Sequence, residues 1–334
     1  MGNDPIPIGC SAVKPVERHG MEALSWFLYD KDTGAIMGRT PLSWLLITIF
    51  YIVYYAFLAG FWALMLIAFF QFIDEKEPRW QQDESRIGRS PALGVRPGQT
   101  WDYIDSSMIL FNKEAGEDVE GKVPGYSGWV ARTNKFLEEY KKASPSNAVD
   151  CQDGANTEPQ TTDEHNKFCK FSLTKLGDCS GAEANFGYDK GEPCILLKLN
   201  RIYGLVPEYY KSADDIPAEA PQGVKDRITA ATNKEQVWVS CRGENAADEE
   251  SMGDVTFFPS DAAFPGYYFP YLNQPDYQSP VLAVKFKGTK VGQFIHVECR
   301  AWAGNIKYDK RDRAGIAHFE LMVHDDMTAS KVVM

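Results

Sequence analysis

The side chains best equipped for chemistry in this chain are cysteines. There are seven among 334 residues: Cys10 near the N-terminus, then Cys151, Cys169, Cys179, Cys194, Cys241 and Cys299. Thiols act as zinc ligands, redox nucleophiles or disulfide halves. The close C-x2–4-C spacing that zinc favours is absent. An even six on one side of the chain, with one cysteine set apart, reads as three disulfides in an oxidising compartment.

Other reactive groups form no motif. There is no H-E-x-x-H helix, and His165, His296, His318 and His324 have no ligand spacing along the chain. GYSGW (Gly125–Trp129) lacks the second glycine of a G-x-S-x-G elbow in its place. The acidic pairs Asp214–Asp215 and Asp325–Asp326 are sequence neighbours and read as solvated turns. No catalytic residue, cofactor site or metal site is expected.

The elements that carry these residues are set by one apolar block, Leu42 to Ile73. From Leu45 to Phe70 it holds no charged residue. A helix crosses a hydrocarbon core of about 30 Å with roughly 20 apolar residues, so this block spans once. It begins too late and runs too long for a cleaved signal peptide, and reads as a signal anchor. The expected organisation is a cytoplasmic tail over 1–41, a transmembrane helix over 42–73, an extended polar stalk over 74–106 with Pro78, Pro91 and Pro97, and an extracellular domain over 107–334. Flanking charges argue for the opposite orientation, with Lys31 and Arg39 before the block and Lys76, Arg79, Arg86 and Arg89 after it. Such counts weaken before a long translocated domain, and the cysteine distribution decides. Net charge is −11, which argues against nucleic acid and anionic membrane surfaces as partners.

In the expected extracellular domain, SSMILFN (Ser106–Asn112) is predicted as a first strand and Ser127–Ala143 as a helix, with Trp129, Phe136, Leu137 and Tyr140 on one stripe. From Cys194 onward the pattern is β: CILLKLNRI, QVWVSCRG, PVLAVKFKG, FIHVECRAW and AGIAHFELMV. Val237, Val239 and Cys241 share one face of their strand, and Ile295, Val297 and Cys299 one face of theirs, with His296 on the other. The fold class is thus a single transmembrane helix plus a mainly-β, immunoglobulin-like sandwich with one or more helices. A Cys241–Cys299 bond would join two strands through its core.

Two segments read as interaction surfaces. GYYFPYLNQPDY (Gly266–Tyr277) concentrates five aromatics, as a plug over the sandwich end or as a docking surface. In the membrane block, Tyr51 and Tyr55 are four apart, and Ala56, Gly60 and Ala63 make a small-residue groove beside them. Small-xxx-small spacing lets helices approach closely.

These residues resemble a known family. WFLYDKDTG…MGRTPLSW (Trp26–Trp44), FYIVYYAFLAG (Phe50–Gly60), CKFSLTKLGDCSG…FGYDKGEPCILLKLNRIYGLVPEYY (Cys169–Tyr210), PGYYFPYLNQP…PVLAVKF and ECRAWAGNIKY…RDRAGIAHFEL occur in the order found in beta subunits of the sodium/potassium-transporting ATPase. The resemblance implies a non-catalytic subunit that helps a large catalytic alpha subunit fold, assemble and reach the plasma membrane, and that modulates potassium affinity. It implies the bridges Cys151–Cys169, Cys179–Cys194 and Cys241–Cys299. It also implies alpha-subunit contacts at Tyr51, Tyr55, Ala56 and Gly60 in the membrane and at Tyr267, Tyr268 and Tyr271 outside. A small single-span regulatory subunit and membrane lipid are further expected partners. One departure is the lack of any N-x-[ST] sequon, where familiar members carry glycans. Two other classes remain as alternatives: an anchored ectoenzyme and a cell-adhesion ectodomain.

Overall fold

The computed structural model describes residues 20–30, 34–74, 76–98, 107–114, 116, 123–142, 146–151, 167–181 and 185–324. It divides into two units, residues 1–74 and 75–334.

The first unit holds α1 (Met21–Leu28) and α2 (Pro41–Gln71). Helix α2 starts where its sequence says it should. The Thr40 side chain accepts a hydrogen bond from Ser43 N (3.4 Å), and Pro41 occupies the first turn, where no backbone donor is needed. Trp44 Nε1 donates to Ile36 O at 2.8 Å and ties the helix start to the preceding turn. None of the 31 residues of α2 is buried, and its most apolar window has a mean hydropathy of 2.1. A helix apolar all round and bare belongs in lipid.

The second unit is a sandwich. One sheet contains β1 (Leu93–Arg96), β5 (Cys194–Leu199), β9 (Val281–Lys287) and β7 (Asp254–Phe258), in the order β1-β5-β9-β7 and antiparallel throughout. The other contains β2 (Met108–Asn112), β11 (Ile316–His324), β10 (Ile295–Trp302), β6 (Gln236–Gly243) and β8 (Ala263–Pro265), in the order β2-β11-β10-β6-β8. Its β2–β11 pair is parallel. A short parallel pair, β3 (Ala148–Val149) with β4 (Phe168–Cys169), lies apart. Ile195, Leu197, Val284, Phe286, Val297, Phe319 and Leu321 are fully buried in one core cluster. The Phe286 and Phe319 rings meet edge-on at 6.1 Å, linking the two sheets.

Both sheets are also covered outside. Helix α3 (Ser127–Lys141) buries Thr133, Leu137 and Tyr140, and Arg96 and Lys198 lie over the ring of its Phe136 at 5.8 and 5.9 Å. Burial, reinforced by Arg96 and Arg201, lowers the pKa of Lys198 to about 8. Helix α4 (Gln222–Ala230) sets Val224 and Ile228 in a second core with Trp238 and Trp302. Helix α5 (Ala246–Met252) is capped by Asn245, whose Oδ1 accepts from Ala247 N (2.9 Å) and Asp248 N (3.0 Å).

Two expectations need correction. The stalk over 74–106 is shorter, because residues 93–96 form the edge strand β1, with Leu93 opposite Leu199. Proline spacing marked the segment as extended, but the extended chain pairs with β5. Consequently Met108–Asn112 supplies the second strand rather than the first. Cys10 lies outside the described residues.

Candidate functional site

Three disulfides anchor the second unit: Cys151–Cys169, Cys179–Cys194 and Cys241–Cys299. The first closes the β3–β4 pair. The second ties a 3-10 segment (Leu173–Cys179) to the start of β5. The third joins directly opposed residues of β6 and β10, which are neighbours in one sheet. The bond joins two strands as expected, but side by side in one sheet rather than through the core. Cys299 is fully buried on the core face, as alternation requires, but its partner sits beside it.

On α2, the Tyr51 and Tyr55 rings stack at 5.9 Å and 25°, and Tyr54 meets both edge-on. Tyr51 and Tyr55 remain 48% and 58% exposed. Ala56, Phe57, Gly60, Phe61 and Leu64 line a shallow groove. A Cβ added at Gly60 would meet nothing within 4 Å. With 3.6 residues per turn, each residue advances by roughly 100°. The Ala56–Gly60–Ala63 groove therefore lies about 130° around the helix from the tyrosine pair. These are two faces, not the single side expected.

In the second unit the aromatic segment resolves into parts. Tyr267 and Tyr268 are only 4% and 3% exposed and belong to the main core. Lys175 Nζ donates to the Tyr267 hydroxyl at 2.7 Å, and the Tyr268 hydroxyl donates to Lys170 O at 3.4 Å. Both rings fill the sandwich core, which suits the plug among the two roles expected of this segment. Tyr271 alone of the three is half-buried. Its hydroxyl donates to Asn273 Oδ1 (3.1 Å), its ring lies 5.0 Å from Tyr277, and the Arg201 guanidinium covers it at 5.4 Å. Arg201 is itself held by Ser279 Oγ (3.0 Å) and Tyr277 O (2.8 Å). Burial pushes the Tyr277 hydroxyl pKa well above its ordinary value. Arg201, Tyr271, Glu139 and Lys142 border one cleft.

The outer face of the five-stranded sheet carries a charged network. Glu298 on β10 is 3% exposed. It accepts from Arg242 Nη2 (2.8 Å) and the Tyr308 hydroxyl (3.1 Å), and pairs with Lys310 Nζ (3.1 Å). Burial alone would raise its pKa, but the hydrogen bonds from Arg242, Lys310 and Tyr308 together outweigh burial and hold it below the usual carboxylate range. Hydrogen bonds to Glu244 and Glu298 raise the pKa of Lys310 in turn. Beside this network the His296 and His318 rings stack at 5.8 Å and 19°. Chain spacing hid this pair. Strand alternation sends His296 and His318 outward, and only the register, with His296 opposite Glu320 and Glu298 opposite His318, makes them neighbours.

A helix with no buried residue, carrying two distinct faces, precedes in sequence a sandwich holding three successive disulfides. The family model for the sodium/potassium ATPase beta chain matches residues 14–319. The chain belongs to that family. It is similar to the sodium/potassium-transporting ATPase subunit beta-2 of Drosophila melanogaster, 38% identical over 93% of this chain and 94% of the relative. It is also similar to subunit beta-1 of the same species, 36% identical over 90% and 93%, and to the probable subunit beta-3 of Caenorhabditis briggsae, 33% identical over 91% and 87%. As a beta chain with one candidate membrane-spanning helix among the described residues, it is a single-pass membrane protein.

Proposed function

We propose that this chain is the non-catalytic beta subunit of a sodium/potassium-exchanging ATPase. It pairs with the catalytic alpha subunit, assists its folding, assembly and delivery to the plasma membrane, and tunes potassium affinity. The observation that carries this is the beta-chain family match over residues 14–319. The N-terminal tail is cytosolic and the sandwich extracellular, in keeping with six bridged cysteines that need an oxidising compartment.

The tyrosine face of α2 packs against a membrane helix of alpha, where the Tyr51 and Tyr55 hydroxyls find the partners that lipid denies them. The Gly60 groove, on another face, admits a second close helix, which suits a small single-span regulatory subunit. Outside, Tyr271 with Arg201 offers the exposed part of the aromatic segment to alpha.

Solubilisation in mild detergent and affinity capture of this chain tests the reading. A large polytopic subunit with potassium-activated ATP hydrolysis should co-purify. Capture of the chain alone with substrate turnover, or with only an extracellular ligand, would overturn it in favour of an ectoenzyme or an adhesion ectodomain.

A further inference from the structure

We propose that Glu244, His296 and His318 form a binding site for a divalent transition-metal ion of the zinc class on the outer face of the five-stranded sheet. This departs from the expectation that the chain holds no metal site. One ligand atom from each of the three side chains lies within 4.8 Å of the other two. Imidazole nitrogens with a carboxylate oxygen are the donor set that suits zinc, copper and nickel. Three protein ligands with an open fourth position are a common zinc arrangement. Zinc with nitrogen and oxygen ligands at about 2.0–2.2 Å needs the three groups to draw in slightly, which rotation of partly exposed side chains supplies. Exposures of 39% for Glu244, 43% for His296 and 26% for His318 leave a path for the ion.

The backbone beneath is rigid. His296 and His318 sit on the paired strands β10 and β11, and Glu244 directly follows β6. Glu244 N donates to His296 O at 2.9 Å and fixes the approach of the carboxylate to the imidazoles. Glu244 Oε2 lies 3.3 Å from His318 Nε2. On the other side of the rings, Glu320 Oε1 lies 3.8 Å from His318 Nδ1 and 4.0 Å from His296 Nδ1. Glu320 is itself anchored, its Oε2 accepting from Ser107 Oγ. At these separations Glu320 makes no hydrogen bond to either Nδ1, but a small shift would let a ring donate Nδ1–H to it and leave Nε2 for the ion, the arrangement that usually supports metal-bound histidines. Lys310 is a built-in competitor. Its Nζ holds Glu244 Oε1 at 3.0 Å and would have to yield, or share that carboxylate, when an ion binds.

The test is zinc titration of the purified full-length chain in detergent, free of any histidine tag, against a competing chelator dye. The parent should bind one zinc that His296→Ala/His318→Ala does not, and each single histidine variant should weaken binding at least tenfold. Glu320→Gln should weaken it by about tenfold without removing the site. Lys310→Met should tighten it. Thermal unfolding without zinc checks that each variant is folded, and His318→Asn, closer in size and polarity, replaces His318→Ala if that one is not. Zinc should raise the melting temperature of the parent and leave that of the double histidine variant unchanged. Equal zinc uptake by the parent and the folded double histidine variant would overturn the proposal and leave only an ion-paired cluster. Unchanged affinity in Glu320→Gln together with unchanged affinity in Lys310→Met would likewise overturn the site as drawn.

Discussion

Cys241 and Cys299 are register partners on β6 and β10, with their Cα atoms 4.0 Å apart. That is the short spacing of a non-hydrogen-bonded antiparallel pair. The bond therefore fastens two strands that the ladder already aligns, on the face that looks into the core.

Closing a 58-residue loop stabilises by about 4 kcal/mol in the chain-entropy model. Cys241→Ala/Cys299→Ala should lose up to that amount in urea unfolding yet keep the native sheet, because Val297↔Gly243 and Ala301↔Val239 still pair. Peptide mapping of the oxidised parent should recover Cys241 joined to Cys299. Cys241 joined to any other cysteine would contradict the observed register.

The membrane helix separates its own folding from its partner's. A Cβ added at Gly60 meets nothing within 4 Å among the described residues, so Gly60→Leu should leave α2 intact and reduce assembly through the partner. Tyr51→Phe and Tyr55→Phe would each remove the hydrogen bond proposed to alpha, and membrane hydrogen bonds contribute about 0.6 kcal/mol on average. Each should change apparent potassium affinity only by a few-fold. Potassium-activated ATP hydrolysis, in membranes holding equal amounts of assembled pump, reads both effects. If all three variants match the parent, α2 is only an anchor.

The aromatic segment should divide between stability and association. Tyr268→Ala empties a core position and should destabilise the sandwich by about 3–5 kcal/mol, the usual cost for a buried aromatic. Tyr271→Ala should cost far less stability and act on capture of alpha. Chemical denaturation beside co-purification separates them. The reverse pattern would return Tyr268 to the docking surface.

Glu298 links the outer network to pH. Its folded pKa lies below the ordinary carboxylate value of 4.5. Its contribution is therefore complete above about pH 4.5 and is lost as the pH falls through the lower folded value. Glu298→Gln should cost about 1–3 kcal/mol at pH 7, since it weakens hydrogen bonds to a buried charge. The difference from the parent should shrink below pH 4. A constant difference from pH 7 to pH 3 would show that Glu298 acts through packing alone.

Orientation is open to direct measurement. An impermeant thiol reagent applied to intact cells after mild reduction should label cysteines from the bridged set and spare Cys10. Labelling of Cys10 would place the N-terminus outside.

Much of this protein is local and was legible residue by residue. An uncharged run from Leu45 to Phe70 determines a membrane helix, because lipid offers the backbone no other partners. Two-residue alternation marked β6 and β10, since a strand with one face in a core must repeat that way, and a near-continuous apolar run marked β5. The stripe Trp129–Phe136–Leu137–Tyr140 determined α3. Family resemblance supplied the disulfide order, which spacing could not. What the tertiary structure decided is what depends on which strand lies beside which. Residues 93–96 read as stalk because four residues with two small or charged positions carry little pattern, and only pairing with β5 makes them a strand. Tyr267 and Tyr268 are chemically equal to Tyr271, and only packing puts two in the core and leaves one at the surface. His296 and His318 are 22 positions apart in the sequence. They become a stacked pair beside Glu244 because β10 and β11 hydrogen-bond in one register, a property of the sheet that neither strand carries alone.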